Sequence, residues 1–354
     1  MSGRLKLRRG VVVGEDPLIV EVGGERRAAW ADETLLGEMR EGDEVVVNVA
    51  ALDLGLGSGG FDVVHVNLSR GLDASGEGGA HVMKLNYTSL QHSVDPIELP
   101  WRVVSPMDNT EVTAGAAGRA MPVLVLPLHG HLAPAAWAAA QASSGLKVGY
   151  VQTGGGALPG SLSRDVAQLR ERGLLCGHVT VAPTYGGERE ALSVAGAFDA
   201  AANSLGWDAA LVGPGPGMIG SNTRLGHGGL AALDNAHAAL ALGLPALLSP
   251  RLSEADPRER HRGVSHHTLT VLELLLAGVE VPVPVDHPAV AARLAGAAGD
   301  RHKLHQAQPD LAGYSASGLP AFTMGRGIEE DQLFFAAPLA AGKVLAGASL
   351  RRKD

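Results

Sequence analysis

Three groups of residues in this 354-residue chain have types and spacings that could do chemistry. Leu128-His129-Gly130-His131 sets two imidazoles on either side of a glycine. Such a pair can orient an anionic group, move a proton, or turn toward a metal ion. Thr153-Gly154-Gly155-Gly156 runs on to Ser161 and Ser163, just ahead of a predicted helix. Glycines there let backbone N–H groups approach an anion, and a helix N-terminus adds partial positive charge. Gly215-Pro216-Gly217-Met218-Ile219-Gly220 carries the glycine spacing of a dinucleotide-binding turn and leads to Arg224 and His227. Gly154, Gly155, Gly156, Ser161, Gly215, Gly217 and Gly220 are therefore the expected ligand cradle. Arg224, His227 and Arg326 are the expected charge partners, and His129, His131 and His227 the expected acid/base or orienting groups.

Each group has a plainer reading beside it. Glycines also make tight turns, and the 215–220 pattern departs from a dinucleotide site in three ways. It follows the fourth predicted strand of its domain, it is stiffened by Pro214 and Pro216, and Arg251 stands where an acidic residue would meet a ribose. His129 and His131 could join His227 or His266 and a carboxylate such as Glu329 or Asp331 around a metal, but no fixed spacing completes that set. Structural hydrogen bonding is the third option. Arg258 to Arg262 reads as a solvated loop or as a lid closing on an anion. His266-His267 reads as a helix cap, and His287, His302 and His305 as solvent-facing. Neither Gly-x4-Gly-Lys-Ser/Thr nor Gly-x-Ser-x-Gly occurs, so a Walker-type NTPase and a serine hydrolase elbow lack support.

These residues need elements to position them. Short Val- and Ile-rich runs separated by Gly, Asp and Glu recur before residue 105: Arg9–Val13, Leu18–Val22, Glu44–Val49, Phe61–Asn67 and Ala80–Leu85. They predict a small β-barrel-like module over 1–105. Over 106–354 the rhythm changes to apolar strands alternating with Ala-rich helices. Strands are expected at 121–128, 147–152, 178–182, 208–213 and 245–249, and another at 321–325. Helices are expected at 132–143, 163–174, 188–205, 230–242, 268–277 and 288–298. The fold class is α/β, a three-layer Rossmann-like domain with a mostly parallel sheet. Pro282 and Pro284 mark 279–285 as an edge strand or none. Ligands of such sheets collect beyond the carboxyl ends of the strands, and the three groups fall there.

Composition narrows the class further. The chain has 48 glycines, about twice the usual ~7 %, and only 4 % aromatic residues, so base-stacking platforms for nucleic acid are not expected. A net charge of −8 argues the same way and against anionic membranes. The stretch 269–285, read as the most apolar, contains Glu273, Glu280 and two prolines, too broken to span a bilayer. A cytoplasmic protein is expected. The lone Cys176 excludes an internal disulfide and reads as a packed thiol at a strand start. Exposed small-residue helices would suit a homodimer.

Four strings are more specific: His81 to Gln91, Leu128 to Pro134, Gly213 to Gly229 and Thr323 to Asp331. They resemble the bacterial DUF3866 proteins over nearly the whole chain. That resemblance implies one protein carrying both modules, and it assigns no activity, cofactor or catalytic residue. The expected function is binding of a small anionic ligand, a phosphorylated one among the options, at the glycine- and histidine-rich strand ends. The alternatives are a metal-dependent hydrolase or transferase using His129 and His131, and a non-enzymatic regulatory or assembly protein.

Overall fold

The computed structural model describes residues 3–57, 59–72, 80, 82–98, 120–221 and 223–351. They form two compact units, divided between Val94 and Asp95. The expected boundary at 105/106, the connector around it and most of the glycine loop at 71–79 lie outside the described residues.

The first unit is a closed five-stranded barrel of β1 (Leu7–Glu15), β2 (Leu18–Val22), β3 (Glu25–Trp30), β4 (Glu44–Asn48) and β5 (Asp62–Asn67), in the order β1-β2-β3-β5-β4. Single-turn helices α1 (Glu33–Leu36) and α2 (Ala50–Asp53) sit in its connections. Alternation fills its core with Val12, Val20, Val45, Val47 and Val64. Gly42, at φ 91°, makes the turn into β4 that an L side chain would strain. β3 was not expected, because Glu25-Arg26-Arg27 hides the strand pattern; Arg27 instead pairs at 2.5 Å with buried Asp62. The run expected at 80–85 lies outside the barrel, where β6 (Val82–Lys84) pairs antiparallel with β7 (His92–Val94).

The second unit is an eight-stranded sheet, parallel throughout, flanked by helices. In chain order it contains β8 (Val123–Val125), α3 (Leu132–Ala142), β9 (Val148–Thr153), α4 (Arg164–Glu171), β10 (His178–Val181), β11 (Arg189–Ala191), α5 (Val194–Asn203) and β12 (Ala209–Pro214). Next come α6 (Ala231–Ala241), β13 (Ala246–Leu248), the short pair β14 (Leu252–Ser253) and β15 (Gly263–Val264), α7 (His266–Leu274), β16 (Glu280–Pro284) and α8 (Pro288–Ala298). β17 (Lys303–Ala307), α9 (Leu311–Ala316), the small hairpin of β18 (Phe322–Thr323) and β19 (Arg326–Gly327), and α10 (Gln332–Leu350) complete it. The order across the sheet is β11-β10-β9-β12-β8-β13-β16-β17.

Successive side chains leave a strand on opposite faces, and the two cores follow that rule. Val123, Val125, Ala210 and Val212 face α5, α6, α7 and α8, whereas Leu124, Leu126, Ala209 and Leu211 face α3, α4, α9 and α10. Small residues allow the close approach on the second face: a Cβ on Gly342 of α10 would sit 2.2 Å from the Ala135 carbonyl of α3. α10 is long and apolar enough to cross a membrane, and it is mostly buried as a core helix of the domain. Its helical pattern is obscured in the sequence, because Pro338 and the glycines Gly342 and Gly347 interrupt it.

Several expectations need correction. β16 is an interior strand despite its prolines. Val279 O accepts from Lys303 and Val285 N donates to Ala307, so the odd residues face β17. Pro282 and Pro284 face β13, whose pairing with β16 is limited to Leu247 opposite Glu280, so no ladder bond is lost there. The strand expected at 321–325 is the hairpin β18–β19, outside the main sheet. The helix expected at 188–205 opens with β11. Cys176 is exposed ahead of β10. His302 is buried, its Nδ1 accepting from Val279 N and its Nε2 beside Leu272 O, and it locks α7 to the sheet.

Candidate functional site

The strand order places a switch point at the middle of the sheet. The chain leaves β8 for α3 on one face, and leaves its neighbours β12 and β13 for α6 and α7 on the other. Loops diverge there and leave a crevice beyond the strand ends. A cleft of about 620 Å³ occupies it. Its walls come from Leu128 to Gly130 after β8, Gly215 to Ser221 and His227 after β12, Arg251, Arg258, Arg260 and His261 after β13, His267, and Phe322 to Met324.

The expected residues divide sharply at this cleft. Gly215, Gly217, Gly220, His129 and His227 line it. Gly154, Gly155 and Gly156 do not: they are where the loop after β9 crosses the loop after β12. A Cβ on Gly156 would lie 2.2 Å from Gly215 O, and one on Gly228 would lie 1.9 Å from Gly155 O. Backbone bonds stitch the crossing, from Ala157 N to Pro216 O at 2.7 Å and from Ile219 N to Gly155 O at 3.3 Å. Gly228→Ala should therefore destabilise the protein by about 3 kcal/mol, since backbone and not a mobile side chain must move. Gly217→Ala, at φ 67° with nothing within 4 Å, should cost only about 1 kcal/mol. Urea unfolding of the two variants checks the contrast.

Ser161 is exposed on the turn before α4, and the cap of that helix is Ser163, whose Oγ accepts from Val166 N. Arg224 points away to pair with Glu273 at 2.5 Å, leaving only its carbonyl near the site. Arg326 is held by Asp331 at 3.1 Å, with its buried Nη2 making no hydrogen bond and lying 3.7 Å from Asp256 Oδ2. Asp331 also accepts from Ser253 and Glu254 N, so it anchors β14 and is not poised as a metal ligand. Glu329 is exposed.

His129 and His131 do not act as a pair. His129 Nδ1 faces Pro214 O at 3.2 Å and its Nε2 faces Ser163 Oγ at 2.8 Å, so both ring nitrogens are spent on the fold. His131 is fully buried and absent from the cleft wall, with Nδ1 on Ser249 Oγ at 2.9 Å and an edge-on contact to Phe334. Burial holds His129 neutral and pushes His131 down to about 3, with the Arg251 cation adding to the second effect.

The chemistry concentrates instead on residues 251–267. Arg251 is buried, yet none of its polar contacts is close. Nη1 lies 3.3 Å from His267 Nδ1, Nη2 lies 3.5 Å from Asp256 Oδ2, and Nε is unpartnered. Asp256 is taken by Arg258, which donates to it from both Nε and Nη2 at 2.9 Å. Desolvation and the neighbouring arginines push Arg251 down to about 10. Arg251, Arg258 and Arg260 line the cleft, and among the described residues no carboxylate does. Around them His227, His261, His266 and His267 crowd together, the His227 and His267 rings stacked at 3.6 Å. Burial lowers all four, chiefly because an imidazolium would lose its hydration there. His266-His267 is not the cap of α7; Ser265 Oγ accepts from His267 N in that role.

Arg251 and His267 were not among the expected site residues, and Arg258, Arg260 and His261 entered only as part of a solvated loop or a lid. The density of Arg and His between 249 and 267 was visible in the sequence. What was not visible is that β14 and β15 fold this stretch back over the end of β13, turning Arg251 inward.

The family model described as a protein of unknown function, DUF3866, matches residues 28–342. The chain belongs to this family. In this DUF3866 protein the match takes in β4, β5 and the end of β3 of the barrel and nearly all of the α/β unit, including the cleft walls. No curated protein and no solved structure matches the chain.

Proposed function

We propose that this DUF3866 protein binds a small anionic, phosphorylated molecule in the switch-point cleft. The observation that carries the proposal is Arg251, a buried guanidinium whose Nε has no hydrogen-bond partner and whose Nη groups make only long contacts, at 3.3 Å to His267 and 3.5 Å to Asp256. Buried donors left unmet cost about 1–3 kcal/mol each, more when charged, so their persistence favours a ligand that completes them. Planar guanidinium groups suit phosphate oxygens. Arg258, paired with Asp256, and Arg260 add guanidinium groups to the same wall. Gly215, Gly217 and Gly220 leave backbone exposed along the part of the wall after β12. Phe322 and Ile219 are largely exposed at the mouth, which favours a ligand whose phosphate is joined to an apolar part.

Thermal unfolding with paired compounds tests the proposal. Inorganic phosphate, sugar phosphates and nucleotides should include members that raise the melting temperature, while their dephosphorylated counterparts do not. At a hundredfold excess over Kd, binding adds about 2.7 kcal/mol, a shift of several degrees. Equal behaviour of the phosphorylated and dephosphorylated sets would refute it.

A further inference from the structure

We infer that His227, His266 and His267 form a site for one divalent transition-metal ion of the imidazole-preferring kind, such as zinc or cobalt. One nitrogen from each ring lies within 4.8 Å of the others. A second observation points to a ligand. His227 Nδ1 and His266 Nε2 are buried and without a hydrogen-bond partner. His227 Nε2 lies 3.0 Å from Arg224 O, so it carries the proton and leaves the Nδ1 lone pair free toward the cluster. A backbone carbonyl fixing the tautomer of a histidine in this way is the usual support of a metal ligand.

A third observation concerns Gly229. A Cβ there would lie 3.0 Å from His267 Nδ1 and 3.1 Å from His227 Nδ1. Gly229 has no left-handed φ, so its backbone does not require glycine. What the glycine does is keep open the space onto which two ring nitrogens converge. Three imidazoles leave a coordination position for water or for a bound anion. Neither His129 nor His131 belongs to this group, so the metal site is not the one expected from the His-x-His spacing.

The site does not rest on the anion proposal, although His227 and His267 share the cleft wall with Arg251. Arg251 Nη1, 3.3 Å from His267 Nδ1, competes with an ion for that nitrogen. Arg251→Met should then bind metal as tightly as the wild type or more so, while losing phosphate binding.

Untagged full-length protein, loaded with Zn²⁺ or Co²⁺ and dialysed, should retain about one ion per chain by elemental analysis. Cobalt should add visible absorption from low-symmetry nitrogen coordination. His266→Ala, which removes a half-buried ring with an unpartnered nitrogen, should keep its circular dichroism and lose about 100-fold or more in affinity. Gly229→Ala should do the same if it folds, and His129→Ala should bind normally. Failure of the wild type to retain either ion, or equal retention by His266→Ala, would overturn the assignment.

Discussion

Replacing Arg251 with methionine should leave the protein as stable as the wild type, or more stable, while weakening phosphate binding by about 100-fold or more. The stability half follows from the contacts. Arg251 is buried, its nearest polar neighbours lie at 3.3 and 3.5 Å, and its Nε has no partner. A cation desolvated with so little compensation opposes folding. Removing it does not orphan Asp256, which keeps Arg258 at 2.9 Å and Arg326 at 3.7 Å. The binding half follows from the strength of charge-assisted bonds, about 1.5–3 kcal/mol each, so the loss of two corresponds to at least 100-fold in Kd. Urea unfolding and phosphate titration of one variant separate the two halves. Destabilisation by more than about 3 kcal/mol would make Arg251 a structural cation instead.

Stability should fall steeply between pH 6.5 and pH 4.5. His131 is pushed down to about 3 and His178 to about 4, both chiefly by burial, and His129 is lowered for the same reason. A histidine whose folded pKa lies below its unfolded value of about 6.5 binds its proton more readily in the unfolded chain. Its neutral form therefore supports the fold fully above pH 6.5, and that support drains away as the pH falls toward the folded pKa. Each contributes roughly 1.4 kcal/mol per pH unit in this window, so His131 and His178 together cost about 5 kcal/mol by pH 4.5. Unfolding by urea at pH 7.0, 5.5 and 4.5 measures the slope. His131→Asn, whose amide can still meet Ser249, should lower the slope by about one proton; an unchanged slope would show that His131 does not titrate as described.

How far the molecule could be read from its residues differs between its parts. Strand–helix alternation was legible wherever a strand is buried on both faces, because 121–128, 147–152 and 208–213 are then continuously apolar. It failed at β17, where Lys303-Leu304-His305-Gln306-Ala307 lies at the sheet edge and reads as polar loop. It also failed at β16, since the direction of each proline's missing N–H depends on pairing that no local pattern encodes. The location of the candidate cleft was legible, because glycine, histidine and arginine gather at strand ends. Its membership was not. Gly154 to Gly156 look like a phosphate cradle until Gly215 and Gly228 are seen packed against them. Arg224 and Arg251 look equivalent in sequence, yet one pairs with Glu273 at the surface and the other is folded inward.

The most direct test is a calorimetric titration of inorganic phosphate and of phenyl phosphate into the full-length protein. Saturable binding at about one site per chain is expected, weakening with added salt, tighter for the phenyl ester, and abolished in Arg251→Met. No saturable binding of either compound, or equal binding by Arg251→Met, would contradict an anion site at the switch point.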